Sequence, residues 1–419
     1  MVRLSKCAFY LFVAAILSIR AVAYAAEETV DTPTAKDLTS RCTCTCSTGS
    51  QGIVRTRDLD ERSHWKFPAG NALTYTWTDD VPIRTLYIEW FALPGQVTLL
   101  QTDGEGTALR QSTYAPWQLT EALSLEPDTR AITLRTVEEA DVSTFLLYGA
   151  GTLPKAPHAW KKTPEKLDYL VIAMHPDDDI LFLGGIVPIF GAEQGYTGTV
   201  LYMASRNWRR CEEAVNGLWT MGGQYYPLFG GFYDVPNRAT AQQRRAAFQE
   251  DEVVQYLVTV FRHLRPEVVV SQDINGEYGH FQHKILVKAV LRAAELAGEA
   301  TYDTASATQY GVWNVKKIYL HLYPEQTITL DMDAPLQAFD GMSAFEVDVA
   351  AFSCHVSQRF SHWAPDPASP YFAANLGLAH TIVGTDTGND IFENIPAESL
   401  FQNGSAKLPR VFPKVASQP

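Results

Sequence analysis

The feature that most constrains the fold is an apolar run at 169–174 that ends abruptly in His-Pro-Asp-Asp-Asp at 175–179. The run predicts a buried strand, and the proline keeps His175 out of helical geometry. The aspartates suit the N-cap and first turn of a helix that begins near Ile180. Because open α/β sheets bind ligands at the carboxyl ends of their strands, the cluster is either a ligand site or a set of helix caps.

The chain beyond residue 167 alternates between strand and helix patterns. Strands are predicted at 199–203, 268–271 and 317–322, and helices at 209–221, 241–264 and 282–296. This alternation, with β-branched strands, is typical of a mostly parallel sheet covered by helices on both faces. The fold class expected for 167–419 is therefore α/β and Rossmann-like.

A second polar cluster, 272–283, follows the strand predicted at 268–271. Apolar residues recur three, four, seven and eight places beyond His283, which puts this histidine on the buried face of the next helix. A lone buried histidine is usually structural. Two strand ends that each carry a histidine, with aspartate or histidine three places on, instead match the ligand types of a catalytic zinc with an open position.

The motifs His-Pro-Asp-Asp-Asp and Tyr-Gly-His-x-x-His, in this order, resemble those of the PIG-L/LmbE-like family of zinc-dependent N-deacetylases. That family includes N-acetylglucosaminyl-phosphatidylinositol deacetylases and the deacetylases of mycothiol and bacillithiol synthesis. The likeness covers roughly residues 167–400. It implies one Zn²⁺ per chain and a zinc-activated water that removes an N-acetyl group from an amino sugar or glycoconjugate, although other divalent metals fit the same ligands.

The resemblance also implies roles for individual residues. His175, Asp178 and His283 would bind the metal, and Asp177 would be the general base for the activated water. His280 would stabilise the oxyanion or protonate the leaving amine. The residues alone do not distinguish which of the three consecutive aspartates is a ligand.

The resemblance extends to further residues, inside and outside the two motifs. Tyr278 would assist the catalytic histidine, Arg210 would lie at the sugar-binding edge, and Asp234 would hold sugar hydroxyls. Asp179 stands where the family usually has glutamate, which puts the bracing of a ligand in question. His355 lies in a His-x-Ser-Gln element and is either a pocket residue or a surface helix residue.

The 419 residues leave room for more than this one domain. Residues 1–25 read as a secretory signal peptide, and 26–60 as a flexible lead-in. Short β-rich runs at 61–150 predict a β-sandwich similar to galactose-binding, discoidin-like domains. This similarity makes carbohydrate binding one expected role of the sandwich. The proline-containing segment 151–166 predicts a semi-rigid linker.

Four tryptophans of the predicted sandwich have two interpretations. They form a sugar-stacking platform or, as is more common for large aromatic residues, they fill the core; they are Trp65, Trp77, Trp90 and Trp117. The alternating Cys-Thr run at 42–46 reads as an exposed linker, with metal binding or oxidation as the other options. Five of the six cysteines would remain after cleavage of the signal peptide, and this odd, low number argues against a disulfide scaffold.

Charge and location restrict the partners. The formal net charge is −13, and cleavage of the signal peptide would make it −16 by removing Arg3, Lys6 and Arg20. An acidic protein is a poor nucleic-acid binder, so the expected partner is an N-acetylated sugar or glycoconjugate. A secreted or periplasmic protein with no transmembrane span after cleavage is expected.

Two other functions remain open from the sequence. One is an amidase that acts on a non-acetyl amide of a sugar conjugate or peptide. The other is a glycan-binding protein whose metal site is vestigial, for which the aspartate at 179 leaves an opening.

Overall fold

A computed structural model describes residues 33–47, 52–58, 63–359 and 363–401. The predicted signal peptide lies outside these residues. Within them, no helix combines the length and apolar character that crossing a membrane requires.

The N-terminal part of the described chain is a sandwich of two antiparallel sheets. Its strands are β1 (Thr43–Cys46), β2 (Trp65–Phe67), β3 (Ala72–Thr76), β4 (Thr85–Ala92), β5 (Val97–Thr102), β6 (Ala108–Tyr114), β7 (Thr120–Ser124), β8 (Ala131–Thr136) and β9 (Ala140–Tyr148). One sheet has the order β1-β3-β8-β5-β6, and the other has the order β2-β9-β4-β7. The sheets pack face to face, since Tyr75 of β3 stacks on Phe145 of β9 with ring centroids 4.8 Å apart.

The sandwich extends further towards the N-terminus than predicted. Strand β1, inside the predicted lead-in, pairs with β3 along all four of its residues. Leu38 and Ile53 are buried in the sandwich core. The described residues of 26–60 are therefore part of this unit, because their few apolar side chains complete its core.

Most of the sandwich tryptophans pack in or against the sandwich core and do not form an exposed platform. Trp90 and Trp77 are buried, and the Trp90 indole donates a hydrogen bond to Glu121 at 2.9 Å. Trp65 packs against Phe67 of the same strand. Trp117 packs edge-on against an aromatic ring of the C-terminal unit. The core interpretation agrees with the placement of Trp65, Trp77 and Trp90, whereas Trp117 packs against the core of the C-terminal unit.

The C-terminal unit is built on one mixed sheet. Its strands are β10 (Tyr169–Ala173), β11 (Gly198–Tyr202), β12 (Leu228–Phe229), β13 (Val268–Ser271), β14 (Lys317–His321), β15 (Thr327–Thr329) and β16 (Asn375–Thr381). Their order is β12-β11-β10-β13-β14-β16-β15. The first five are parallel, whereas β16 runs antiparallel to both of its neighbours. The α/β class is confirmed, with a mixed sheet.

Helices cover both faces of this sheet. They are α1 (Asp178–Leu181), a π-helix (Ile186–Glu193), α2 (Trp208–Thr220), α3 (Ala241–Ala247), α4 (Glu250–Leu264), α5 (Phe281–Ala297), α6 (Thr304–Tyr310) and α7 (Ala344–Phe352). Alternate β10 residues enter different cores: Val171 contacts the α2 and α7 side, and Ile172 contacts the α4 and α5 side. Every residue of β10 is buried, which explains its unbroken apolar run.

Two predicted segments differ in detail. The helix expected at 241–264 is two helices, because Phe248 and Gln249 adopt extended backbone between α3 and α4. The expected linker 151–166 packs on the C-terminal unit, where Trp160 is buried and the backbone of Lys161 pairs with that of Tyr225.

The strand order positions the two polar clusters together. The chain runs from β10 outward to β11 and β12, then crosses back to add β13 on the other side of β10. The order therefore reverses between β10 and β13, and in open α/β sheets such a reversal creates a crevice beyond the strand ends. The cluster at 175–179 follows β10, and the cluster at 272–283 follows β13.

Candidate active site

The side chains of three predicted metal ligands meet in this crevice. Nδ1 of His175 lies 3.1 Å from Oδ2 of Asp178 and 3.1 Å from Nε2 of His283. The distance from Nε2 of His283 to Oδ2 of Asp178 is 3.4 Å. All three residues are buried.

His280 adds a fourth possible donor. Ring nitrogens of His175, His280 and His283 lie within 4.8 Å of one another, so this buried group could hold a metal ion. Nδ1 of His280 and Nε2 of His175 are buried atoms without a hydrogen-bond partner among the described residues. Buried imidazole nitrogens without a hydrogen-bond partner are donors of the type that suits a cation.

Asp178 provides the negative charge of the group. Its Oδ2 accepts hydrogen bonds from the backbone N–H of His175 at 2.8 Å and from Nε2 of Gln272 at 2.9 Å. Burial acts to raise the pKa of Asp178, but His283 and His175 outweigh it and hold that pKa well below its usual value. Burial likewise acts to lower the pKa of His175, and Asp178 overcomes it, raising that pKa to about 10. The site thus favours positive charge.

Glu277 orients His283 from behind. The Nδ1–H of His283 donates to Oε2 of Glu277 at 2.7 Å, and Nδ1 of His321 lies 2.8 Å from Oε1. Glu277 is fully buried; burial opposes its ionisation, yet these two histidines lower its pKa to about 2. Because Nδ1 carries the proton, Nε2 presents its lone pair towards Asp178, which is the usual arrangement behind a metal-binding histidine.

Asp177 lies at the head of a chain of ion pairs. Arg210, from the first turn of α2, donates to Oδ1 of Asp177 at 2.6 Å and to Oδ2 of Asp234 at 2.9 Å. Oδ1 of Asp234 lies 3.5 Å from Nε2 of His175. Burial raises the pKa of Asp177, although Arg210 opposes the rise. The predicted base and the two predicted sugar-binding residues are thus one connected network.

Tyr278 and His280 border the open side of the group. The rings of these two residues are 5.6 Å apart, and Tyr278 is 37% exposed. Burial, together with the nearby imidazoles of His175 and His283, lowers the pKa of His280 to about 3. Burial also raises the pKa of Tyr278, so the phenol keeps its proton. Both side chains line a pocket of about 140 Å³ that also reaches Asp177 and Arg210.

Asp179 does not join the group of donors. Its Oδ2 accepts a hydrogen bond from the hydroxyl of Tyr202, on the neighbouring strand β11, at 2.6 Å. Burial raises the pKa of Asp179 to about 8. The residue therefore fixes the strand-to-helix corner to the sheet.

Several residues of the site carried no functional prediction. Glu277 lies within the second cluster, and its only sequence signal is an acidic residue in a turn before a buried helix face. His321 appears structural in its strand pattern, yet it contacts Glu277. Trp363 and Phe182 line the pocket. His355 is buried beside α2, 2.9 Å from where a Cβ on Gly217 would lie, and it does not line this pocket.

No family model matches the chain. A Catenulispora acidiphila protein named 1D-myo-inositol 2-acetamido-2-deoxy-alpha-D-glucopyranoside deacetylase 1 is 32% identical over 199 residues, which are 41% of this chain and 60% of that protein. A Streptomyces scabiei deacetylase named for the same substrate is 24% identical over 303 residues, 57% of this chain and 93% of the relative. The resemblance to PIG-L/LmbE-like deacetylases is confirmed.

The LmbE-like match is partial in length. The chain spans less than two thirds of the Catenulispora relative. Among solved structures, the N,N'-diacetylchitobiose deacetylase from Pyrococcus horikoshii has a TM-score of 0.37 and 16% identity, over 46% of this chain and 70% of that one.

Proposed function

We propose that this protein is a metal-dependent hydrolase that removes an N-acetyl group from an amino sugar or a glycoconjugate. The observation that carries the proposal is the spacing of the donor atoms of His175, Asp178 and His283, which lie 3.1, 3.1 and 3.4 Å apart. In a tetrahedral site with bonds of about 2.0 to 2.1 Å, ligand atoms are separated by about 3.3 Å. With His280 assigned to the substrate, as below, these three side chains suit one cation and leave its fourth position open.

Zinc is the proposed metal, because two imidazoles and one carboxylate are a ligand set typical of catalytic zinc. When bound, the cation would polarise the amide carbonyl and make the attacking water more acidic. The carboxylate of Glu277 supports this assignment, since it fixes the tautomer of His283 that a metal ligand needs.

Asp177 is the proposed general base. It lines the pocket beside Asp178, and Arg210 holds its carboxylate in place at 2.6 Å. A base works best when its pKa approaches the working pH, and burial raises the pKa of this carboxyl in that direction. Asp177 would take the proton of the attacking water and keep it inside the pocket.

His280 and Tyr278 are the proposed donors to the substrate. A neutral imidazole and a protonated phenol each have one hydrogen to donate, and the pKa shifts of both residues favour these forms. They would stabilise negative charge that develops on the amide oxygen, and the proton that Asp177 takes from the water would pass to the leaving amine. Arg210 and Asp234, which line the same pocket, would bind sugar hydroxyls.

Replacing Asp177 by Asn tests the proposal. The variant should lose acetate release from N-acetylglucosamine conjugates and still bind one zinc per chain, since the three proposed ligands are unchanged. Asp251→Asn, at a side chain that is 86% exposed on α4, is the matched control and should keep full activity. Full turnover by Asp177→Asn would discard the base assignment, and absence of acetate release by the wild type from every conjugate would discard the function.

The substrate and location are parts of the same proposal. The conjugate for which the curated relatives are named, 1D-myo-inositol 2-acetamido-2-deoxy-α-D-glucopyranoside, is the first substrate to assay. Longer acyl amides of the same sugar separate a deacetylase from a broader amidase, because only the latter would release them at comparable rates. We also propose that the protein is exported, which N-terminal sequencing of the mature chain would test.

A further inference from the structure

A cleft between the sandwich and the C-terminal unit is much larger than the pocket beside the proposed metal ligands. Its volume is about 630 Å³, against about 140 Å³ for that pocket. Sites for small molecules typically enclose about 300 to 1,000 Å³. The smaller pocket therefore suits the acetamide and its immediate surroundings, and the larger cleft has room for further rings.

We propose that this interdomain cleft is a subsite for the sugar or cyclitol ring joined to the N-acetylated sugar. The inference rests on the proposed function and narrows its substrate class to conjugates and oligosaccharides rather than free monosaccharides.

The cleft continues the same edge of the sheet that carries the metal-binding group. Ser205 and Arg206 follow β11, and Gly231 and Tyr233 follow β12, so their side of the cleft lies at the carboxyl ends of these strands. In the order β12-β11-β10-β13, these ends lie next to those that carry the metal-binding group.

Two short segments border both cavities. Tyr233 lines the cleft, and the next residue, Asp234, lines the smaller pocket. On α2, Cys211 lines the cleft and the preceding residue, Arg210, lines the smaller pocket. In both segments, a residue of the cleft is thus the chain neighbour of a residue proposed to bind sugar, which places the cleft beside the smaller pocket.

The sandwich supplies the opposite wall, largely apolar. Phe91, at the end of β4, stacks on the His64 ring with centroids 3.9 Å apart and planes 14° from parallel. Leu93 is 42% exposed beside it, and Tyr233 across the cleft is 54% exposed. Large exposed side chains on both walls suit the C–H faces of a ring, since binding sites pair such surfaces with a few polar groups.

The polar groups of the cleft are held in place. Asp141 bonds Nδ1 of His64 at 2.5 Å, which orients the stacked pair. Arg206 donates to the carbonyl of Gly231 at 2.5 Å and to the hydroxyl of Tyr233 at 3.0 Å, and its guanidinium lies 4.3 Å from the centre of that ring. Their remaining hydrogen-bonding capacity suits the hydroxyls at the edge of a ring.

The test compares substrates with one ring and with two. Acetate release is measured for N-acetylglucosamine, its β-1,4-linked disaccharide and the inositol conjugate named above, with the full-length zinc-loaded protein. We expect the better two-ring substrate to have a kcat/KM at least tenfold higher than the monosaccharide. Phe91→Ala should reduce this ratio to below threefold, mainly through KM, and Leu93→Ser, at an exposed position that tolerates polarity, should reduce it in the same direction.

Val137→Ala is the matched control, because it truncates a sandwich side chain that is 64% exposed and does not line the cleft. It should leave the ratio unchanged. A wild-type ratio near one for both two-ring substrates, or a ratio unaffected by Phe91→Ala and Leu93→Ser, would overturn the subsite and leave the deacetylase proposal standing.

A binding measurement separates failure of the subsite from failure of the chemistry. Calorimetric titration of both two-ring compounds into Asp177→Asn is compared with titration into Asp177→Asn combined with Phe91→Ala. Affinity that falls at least tenfold in the double variant supports the subsite even if no substrate releases acetate. Equal affinity in the two proteins, or binding of neither compound, overturns it.

Discussion

Replacing Glu277 by Gln should weaken metal binding without removing any proposed ligand. Oε1 of Glu277 accepts the backbone N–H of Asp273 at 2.9 Å, which a glutamine can keep only if its oxygen occupies that position. The new NH₂ group then takes the place of Oε2, which lies 2.7 Å from Nδ1 of His283 in the wild type. Since an NH₂ group only donates, Nδ1 must become an acceptor, and the imidazole proton moves to Nε2.

That change of tautomer affects the atom that would bind the metal. Nε2 of His283 lies 3.1 Å from Nδ1 of His175, and a proton there occupies the lone pair that a cation needs. Loss of such a supporting carboxylate typically lowers metal affinity about 10- to 100-fold, equivalent to about 1.4 to 2.7 kcal/mol. We expect a decrease within this range.

The assay is competition for Zn²⁺ between the metal-free protein and a chromophoric chelator of known affinity. Glu295→Gln, an exposed change on the same helix as His283, is the control and should bind as the wild type does. If Glu277→Gln unfolds at the wild-type temperature and binds zinc within twofold of the wild-type affinity, the argument from the tautomer of His283 is refuted.

Two further predictions concern stability. Burial lowers the pKa of His355 to about 4, so between about pH 6.5 and 4 the unfolded chain takes up a proton at this residue that the folded chain does not. The free energy of unfolding of the wild type should therefore fall by about 3 kcal/mol across this window relative to that of His355→Asn, measured by denaturant unfolding at each pH. Gly198→Ala would place a Cβ 2.3 Å from the Tyr169 ring and should cost about 1 to 3 kcal/mol, whereas Gly104→Ala, with its nearest contact at 3.8 Å, should be close to neutral by thermal unfolding.

The strands that the sequence predicts well are those with a buried side chain at every position or at every second one. The run at 169–174 could be recognised because β10 has neighbours on both faces. The Cys-Thr run at 42–46 carries the same kind of signal: Cys44 and Cys46 face the sandwich core while Thr43 and Thr45 are exposed. Its composition suggested a linker, but its period of two is that of a strand.

Properties that depend on contacts between distant parts of the chain could not be predicted from the sequence. Nothing in the sequence of β16 indicates that it runs antiparallel, because strand direction is set by the path of the chain and not by local pattern. The contact of Arg210 with Asp177 joins residues 33 positions apart and depends on how α2 packs beside the β10 corner. The motifs could therefore predict the members of the site, while the network that connects them required the fold.

The aspartate at 179 bears on whether the metal site is functional or vestigial. A glutamate shortened by one methylene would matter most if it left the corner at 175–179 unsupported. Tyr202 instead reaches across from β11 and donates to Asp179 at 2.6 Å, so the neighbouring strand supplies the support. His175 and Asp178, on either side of the corner, keep the 3.1 Å separation that suits a cation. The corner therefore keeps a geometry that suits a cation despite the shorter side chain at 179, which favours the enzymatic proposal over a glycan-binding protein that has lost its chemistry.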